Sequence, residues 1–226
     1  MKLNRRSFLK SAVAASVLGQ AGCSLQEKML SGYKGKRPNV IFVLSDDQGY
    51  GDFGCYGNKY VKTPSMDRLY RESTRLTDFY MCPVCAPTRA SMMTGRYNYR
   101  TSIWDTWQGG VNMDTEEYTL AEAMKRAGYR TSLFGKWHLG YNYPQRPQDQ
   151  GFEEVLLWDL FHKPDKNRKD PVMIHNGQFV ETEGFEDDIV FDGAIEYLEK
   201  HKNSDQPFFM YVASAMPHTW VDYQIP

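Results

Sequence analysis

The side chains able to do chemistry in this sequence fall mostly where apolar runs end. Asp46 and Asp47 follow Asn39–Leu44, Lys136 and His138 follow Thr131–Phe134, and His218 comes after Phe208–Ala213. Adjacent carboxylates repel each other unless a cation neutralises them, and their hard oxygens favour calcium or magnesium. Asp46 and Asp47 are therefore a candidate metal half-site, the other reading being a solvated turn or helix cap. Asp187-Asp188, just before a later helical stretch, is read as such a cap. Cys85-Ala-Pro-Thr-Arg89 sets a cysteine directly before a proline-initiated helix that Gly95 stops. A nucleophile there faces the positive end of the helix dipole with Arg89 one turn along, a field suited to an anionic substrate. Cys82-Pro-Val-Cys85 alone also fits a redox pair or half a zinc site. No second CxxC or His-x-His completes a zinc site, and redox chemistry leaves Arg89 and the acids unexplained. His162, His175 and His201 lie in polar stretches without a motif and are assigned no role.

The elements that must position these groups alternate in type. Asn39–Leu44 is a continuous β-rich run, expected to be a strand buried on both faces. Thr63-Pro64 opens a helix with Met66, Leu69 and Tyr70 on one face. Thr119-Leu-Ala-Glu122 is a capping box leading a helix with Leu120, Met124 and Ala127 inward, ended by Gly128. Thr131–Phe134 reads as a strand, and Asn176-Gly177 between Val172–His175 and Gln178–Glu181 as a hairpin turn. A helix from about Asp188 to His201, with Phe191, Ile195 and Leu198 inward, leads to the strand Phe208–Ala213. Alternating strands and helices imply an α/β layered fold with a mostly parallel sheet, whose ligands collect at the carboxyl ends of the strands.

The 226 residues carry 27 Lys+Arg against 28 Asp+Glu, a net charge of −1 that excludes nucleic-acid binding through a general basic field. Four cysteines are too few for a disulfide-stapled mini-domain. Asn4-Arg-Arg-Ser-Phe-Leu-Lys10 precedes a short run of small apolar residues, too short to span a bilayer. It resembles a bacterial twin-arginine export signal. Cleavage would remove Lys2, Arg5, Arg6 and Lys10, taking the net charge to −5. Residues 1–23 are read as this signal and 24–37 as a polar linker, which implies a periplasmic or extracellular protein and the twin-arginine export machinery as partner. Cys23 after Ala21-Gly22 is placed as a lipoprotein cysteine would be, with Gln20 where an aliphatic residue is usual, so anchored and free forms both stand.

Cys85-x-Pro-x-Arg89 with Thr94-Gly95-Arg96 resembles the signature of the sulfatases, in which that cysteine is oxidised to formylglycine. Pro38–Asp47 is similar to that family's opening strand with its two metal-binding aspartates, Gly128–His138 to its second signature, and Ala215-Met-Pro-His218 to its later Pro-His element. The resemblance covers residues 38–226 and implies the alkaline-phosphatase-like fold, with a mostly parallel central sheet flanked by helices. It implies hydrolysis of an aryl or carbohydrate sulfate ester at a calcium site, magnesium being the alternative, formed by Asp46, Asp47 and residue 85. A hydrated formylglycine offers one hydroxyl to attack sulfur and another whose deprotonation expels sulfate and restores the aldehyde. By the same resemblance Arg89 holds that residue's hydroxyl, Lys136 the sulfate oxygens, His138 serves the elimination and His218 protonates the leaving oxygen. The implied partners are a sulfated small molecule or glycan and a formylglycine-generating maturation enzyme.

The enzymatic rival is a phosphonate monoester or phosphodiester hydrolase of the same superfamily, and the non-enzymatic one an inactive exported binding remnant. Sulfatases of this kind complete the metal site with a downstream Asp-Asn pair and a further lysine, and no Asp-Asn dipeptide occurs here. The 226 residues are thus expected to be the N-terminal part of a longer enzyme, with the fold incomplete at its C-terminus. The segment 97–108 is expected to help shape the substrate pocket.

Overall fold

The computed structural model describes residues 36–107, 110–158 and 168–218. The export signal, Cys23, most of the linker and His162 lie outside these residues. From Asn39 onward the described chain forms one compact unit. It is built on a six-stranded sheet in the order β1-β6-β2-β3-β4-β5. The strands are β1 (Val40–Asp46), β2 (Arg130–Gly135), β3 (Glu154–Leu157), β4 (Val172–His175), β5 (Gln178–Glu181) and β6 (Phe208–Pro217). β1, β6, β2 and β3 run parallel, and β4 and β5 add an antiparallel margin. Four helices flank it: α1 (Pro64–Glu72), α2 (Cys85–Thr94), α3 (Leu120–Arg126) and α4 (Glu186–His201). Among the described residues no helix is long and apolar enough to cross a membrane.

β6 is central, and its period-two alternation feeds both faces of the sheet. Phe209, Tyr211 and Ala213 join Leu133, Trp137, Phe152 and the α2 residues Ala86, Ala90 and Met93 in one core. Phe208, Met210 and Val212 point the other way, to Phe134 and to Val190, Ala194 and Tyr197 of α4. Each large apolar side chain buried in this way contributes about 1.5–3 kcal/mol. The sheet is thereby clamped between α2 on one side and α4 on the other, the expected α/β layering.

Four expectations of burial need correction. β1 is not buried on both faces: Val40, Phe42 and Leu44 pack on the core, whereas Ile41 and Val43 are 50% and 56% exposed. The inward stripe of α4 is Glu186, Val190, Ala194 and Tyr197, with Phe191 and Ile195 exposed, because the helix begins at Glu186 and that acid takes the first buried position of the stripe. On α1 the apolar face Met66 and Leu69 is largely exposed. On α3 the capping box forms as expected, Thr119 Oγ1 accepting from the Glu122 amide and Glu122 from the Thr119 amide. Its fully buried residue is Ala121, however, and Ala127 is exposed. The hairpin turns at Asn176 and Gly177, both at positive φ (49° and 84°), as a two-residue primed turn requires.

Gly135 closes the sheet just before Lys136. Its φ is +105°, and a Cβ there would stand 2.1 Å from the Ala213 carbonyl oxygen. Only glycine admits that approach, which lets the Lys136 amide donate to the same carbonyl at 2.8 Å. Gly95, at φ +66°, has nothing within 4 Å of its would-be Cβ. Gly135→Ala is therefore expected to cost about 3 kcal/mol or more in denaturant unfolding, against about 1 kcal/mol for Gly95→Ala. Equal losses would show that the close approach to β6 is not limiting.

Candidate active site

Where the parallel strands end, the backbone turns sharply and sets the reactive residues. β1 and β6 pair in register up to Leu44 opposite Ala213, then slip so that Asp46 stands opposite Pro217. β6 thus inserts two extra residues, a bulge of the kind that re-aims side chains beside functional sites. Asp47 (φ 59°) and His138 (φ 64°) both take left-handed backbone, sparsely populated for residues with a Cβ and held there by their surroundings.

The centre of the site is a buried carboxylate between two buried cations. Lys136 Nζ donates to Asp46 Oδ2 at 2.5 Å, and Arg89 Nη2 lies 3.5 Å from Asp46 Oδ1. All three side chains are under 5% exposed. Burial alone would raise the Asp46 pKa, but the charges of Arg89 and Lys136 outweigh it and hold the carboxyl below its usual range. Arg89 Nη1 donates to the Lys136 carbonyl (2.9 Å) and to the Tyr211 hydroxyl (3.0 Å), while Nε and Nη2 make no hydrogen bond. Two positive charges against one negative leave this interior with a net positive charge, a setting that favours an anion.

Cys85 is the first residue of α2 rather than the residue before it, with Val84 as the cap and Pro87 two positions in. Gly95 ends the helix in left-handed conformation, its amide donating to Ser91 O. The thiol is not activated as the helix dipole suggested. Burial pushes its pKa up more than Lys136 and Arg89 pull it down, so the sulfur stays protonated. Cys82 and Cys85 are free thiols, and Cys82 turns to Ser91 Oγ (3.9 Å) and Asn98 Oδ1 (3.7 Å).

Asp46, Cys85 and His218 place ligand-capable atoms within 4.8 Å of one another. His218 Nε2 is 3.5 Å from Asp47 Oδ2. Asp46, Asp47, Cys85 and Arg89 line a cleft of about 240 Å³. Larger grooves among the described residues, about 460 Å³ beside α4, about 950 Å³ beside residues 95–100 and about 310 Å³ beside α1, are lined by none of these four. Tyr97 lines the second of them and not the cleft. His138 is buried, and desolvation together with the nearby Lys136 and Arg89 charges lowers its pKa to about 3, so it is neutral at pH 7. Its neighbour Trp137 belongs to the core, its indole donating to Gln145 O. His175, assigned no role, sits at the surface against Glu154.

Two groups escaped the sequence. Tyr211 reads as one more apolar strand residue, and only the fold shows its hydroxyl accepting from Arg89. Asp187 is not a solvated cap: it accepts from the Ser214 hydroxyl at 2.6 Å and the Ala215 amide at 3.2 Å, at the end of β6. An acid pair at a helix start is so common that nothing in the sequence separates this one from a solvated cap.

Residues 38–226 match the sulfatase family model, and the chain belongs to the sulfatase family. It is 30% identical over 207 residues to N-acetylgalactosamine-6-sulfatase of Canis lupus familiaris, covering 80% of this chain and 40% of that protein. It is 29% identical over 219 residues to N-acetylglucosamine-6-O-sulfatase of Bacteroides thetaiotaomicron, covering 96% of this chain and 36% of the relative. Among solved structures, BT4656 in complex with its substrate D-glucosamine-2-N,6-O-disulfate superposes with a TM-score of 0.71 at 30% identity, over 81% of this chain and 35% of that one. The fold is that of the alkaline-phosphatase-like sulfatases. The chain spans well under half the length of each of these relatives.

Removing the negative charge at the centre should strand two buried cations. Asp46→Asn is expected to destabilise the metal-free protein by about 3 kcal/mol or more, whereas Asp47→Asn, half exposed and screened, changes stability by less than about 1 kcal/mol. Urea unfolding of both variants checks this, and equal effects would contradict the assignment of Asp46 as the counter-charge.

Proposed function

We propose that the protein is a sulfatase that removes sulfate from an organic ester, aryl or carbohydrate, with residue 85 as nucleophile after its oxidation from cysteine to formylglycine. The observation that carries this reading is the convergence of Cys85 and His218 on a buried, net-positive cluster of Asp46, Arg89 and Lys136. The raised thiol pKa supports it too, since an unmodified Cys85 would be a poor nucleophile there. The named activities of the relatives point to the same reaction class.

Asp46, Asp47 and residue 85 would hold a calcium ion, with magnesium the alternative. The donor chemistry fits once residue 85 is oxidised: two carboxylates and a hydroxyl are hard oxygens, whereas an unmodified thiol beside His218 would make a softer set suited to zinc. When bound, the cation supplies neutralisation of the carboxylates and polarisation of an oxygen.

The formylglycine hydrate supplies one hydroxyl to attack sulfur and a second whose deprotonation lets sulfate leave. Arg89 brings two N–H groups with no hydrogen-bond partner and can fix that residue's oxygen. Lys136, buried and preorganised by Asp46, stabilises charge on the sulfate oxygens without reorganisation. His218 delivers a proton to the departing alcohol oxygen, which would otherwise leave as an alkoxide. His138 is neutral and can accept a proton in the release step. Its low pKa makes it a weak base on its own, and a bound sulfate ester, being anionic, raises it. Export through the twin-arginine route and maturation by a formylglycine-generating enzyme complete the reading. Both rest on the sequence.

The test compares 4-nitrophenyl sulfate with a 4-nitrophenyl phosphonate monoester, using protein produced with a maturation enzyme. A higher kcat/KM for the sulfate is expected, and Cys85→Ala should abolish turnover by several orders of magnitude with the fold retained. A preference for the phosphonate would replace the sulfatase assignment, and turnover of neither would remove it.

A further inference from the structure

His218 lies beyond the last residue of β6, yet the segment leading to it is tied down by groups outside the catalytic cluster. Arg168 is the hub. Its Nη2 donates to the His218 carbonyl at 2.9 Å, and both Nη1 and Nη2 reach the Ala215 carbonyl at 3.4 Å. Arg168 is itself held three ways, two through its guanidinium and one through its backbone. Nη1 donates to Glu186 Oε2 at 3.0 Å, the plane sits 5.0 Å over the Trp158 ring, and the Glu186 amide donates to the Arg168 carbonyl at 2.8 Å. Glu186 is fully buried, and the Arg168 side chain is 7% exposed.

A second hold acts one residue along. Asp187 accepts from the Ser214 hydroxyl and the Ala215 amide, and the Ser214 oxygen accepts in turn from the Met216 amide at 2.9 Å. The first two residues of α4 thus grip the stretch Ser214–His218, one directly and one through Arg168. Burial pushes the Glu186 carboxyl up to about 8 against the pull of Arg168, so the contact adds little net stability and its main consequence is the position it fixes. That position matters: it sets His218 Nε2 3.5 Å from Asp47 Oδ2 and a ring nitrogen within 4.8 Å of the ligand atoms of Asp46 and Cys85.

We propose that Arg168, with Glu186 behind it, and Asp187, acting through Ser214, are positioning residues that aim His218 at the leaving oxygen of the ester. The inference rests on the sulfatase reading for the role of His218, while the clamp itself rests on the geometry alone.

Leaving-group selectivity tests it, because a general acid matters most when the departing oxygen is a poor leaving group. In protein produced with its maturation enzyme, Arg168→Lys and Ser214→Ala should each lower kcat for an alkyl or sugar sulfate about tenfold or more. The same variants should lower kcat for 4-nitrophenyl sulfate less than about threefold, since the nitrophenolate leaves without a proton. Both rates are measured on one preparation, so a loss of folded protein cancels from their ratio and a merely structural role leaves it unmoved. Adding Arg168→Lys to His218→Ala should not change the ratio again, since both act through one group. An unchanged ratio in both single variants, or a further tenfold change on the His218→Ala background, overturns the proposal. If the unaltered protein hydrolyses neither ester, the sulfatase reading fails separately. Crystal structures of the unaltered protein and Arg168→Lys then decide the clamp, a displaced His218 ring upholding it and an unmoved ring refuting it.

Discussion

A carboxylate buried between two buried cations is the constraint around which this structure is arranged. Asp46 cannot sit at the end of a core strand without Lys136 and Arg89, and neither cation can be desolvated without Asp46. Each comes from a different element: Asp46 from β1, Lys136 from the turn after β2, Arg89 from α2. Their meeting requires β1 and β2 to flank β6 in parallel, and it requires the close approach that Gly135 permits. The net positive charge that remains makes an anionic substrate part of the electrostatic balance of the interior.

The backbone supports the same arrangement. Left-handed turns at Asp47 and His138 and the register slip on β6 all fall at the carboxyl edge of the sheet. Irregular backbone thus occurs where residues must be re-aimed at the site, while the parallel strands pair in unbroken register up to that edge. The α4 layer takes part from behind: its inward stripe packs on the sheet, and its first two acids reach the end of β6.

Much of this was legible in the sequence because it rests on local rules. Apolar runs marked the strands, the Thr119–Glu122 box and Asn176-Gly177 marked a cap and a turn, and reactive residues placed just after strands marked the site. What was not legible depends on which face meets which. The helical phase of α4 was misjudged because Phe191 and Ile195 look more core-like than a stripe headed by a glutamate. β1 read as doubly buried because its sequence is apolar throughout, although Ile41 and Val43 are exposed. Tyr211, Arg168 and Glu186 carried no local signal at all: their roles come from partners 18 to 122 residues away along the chain. The helix dipole at Cys85 was legible too, but the burial that pushes the thiol pKa up was not.

The burial of Cys85 also sharpens the central claim, for a thiol kept protonated in this interior gives the surrounding charges nothing to activate. The cluster makes chemical sense around an oxygen nucleophile at position 85. The most direct measurement is mass spectrometry of the tryptic peptide Leu76–Arg89, which contains both cysteines, from natively produced protein that is turning over an aryl sulfate. The account predicts an aldehyde at Cys85 and an intact thiol at Cys82. A peptide carrying only unmodified Cys85 in fully active protein would contradict it.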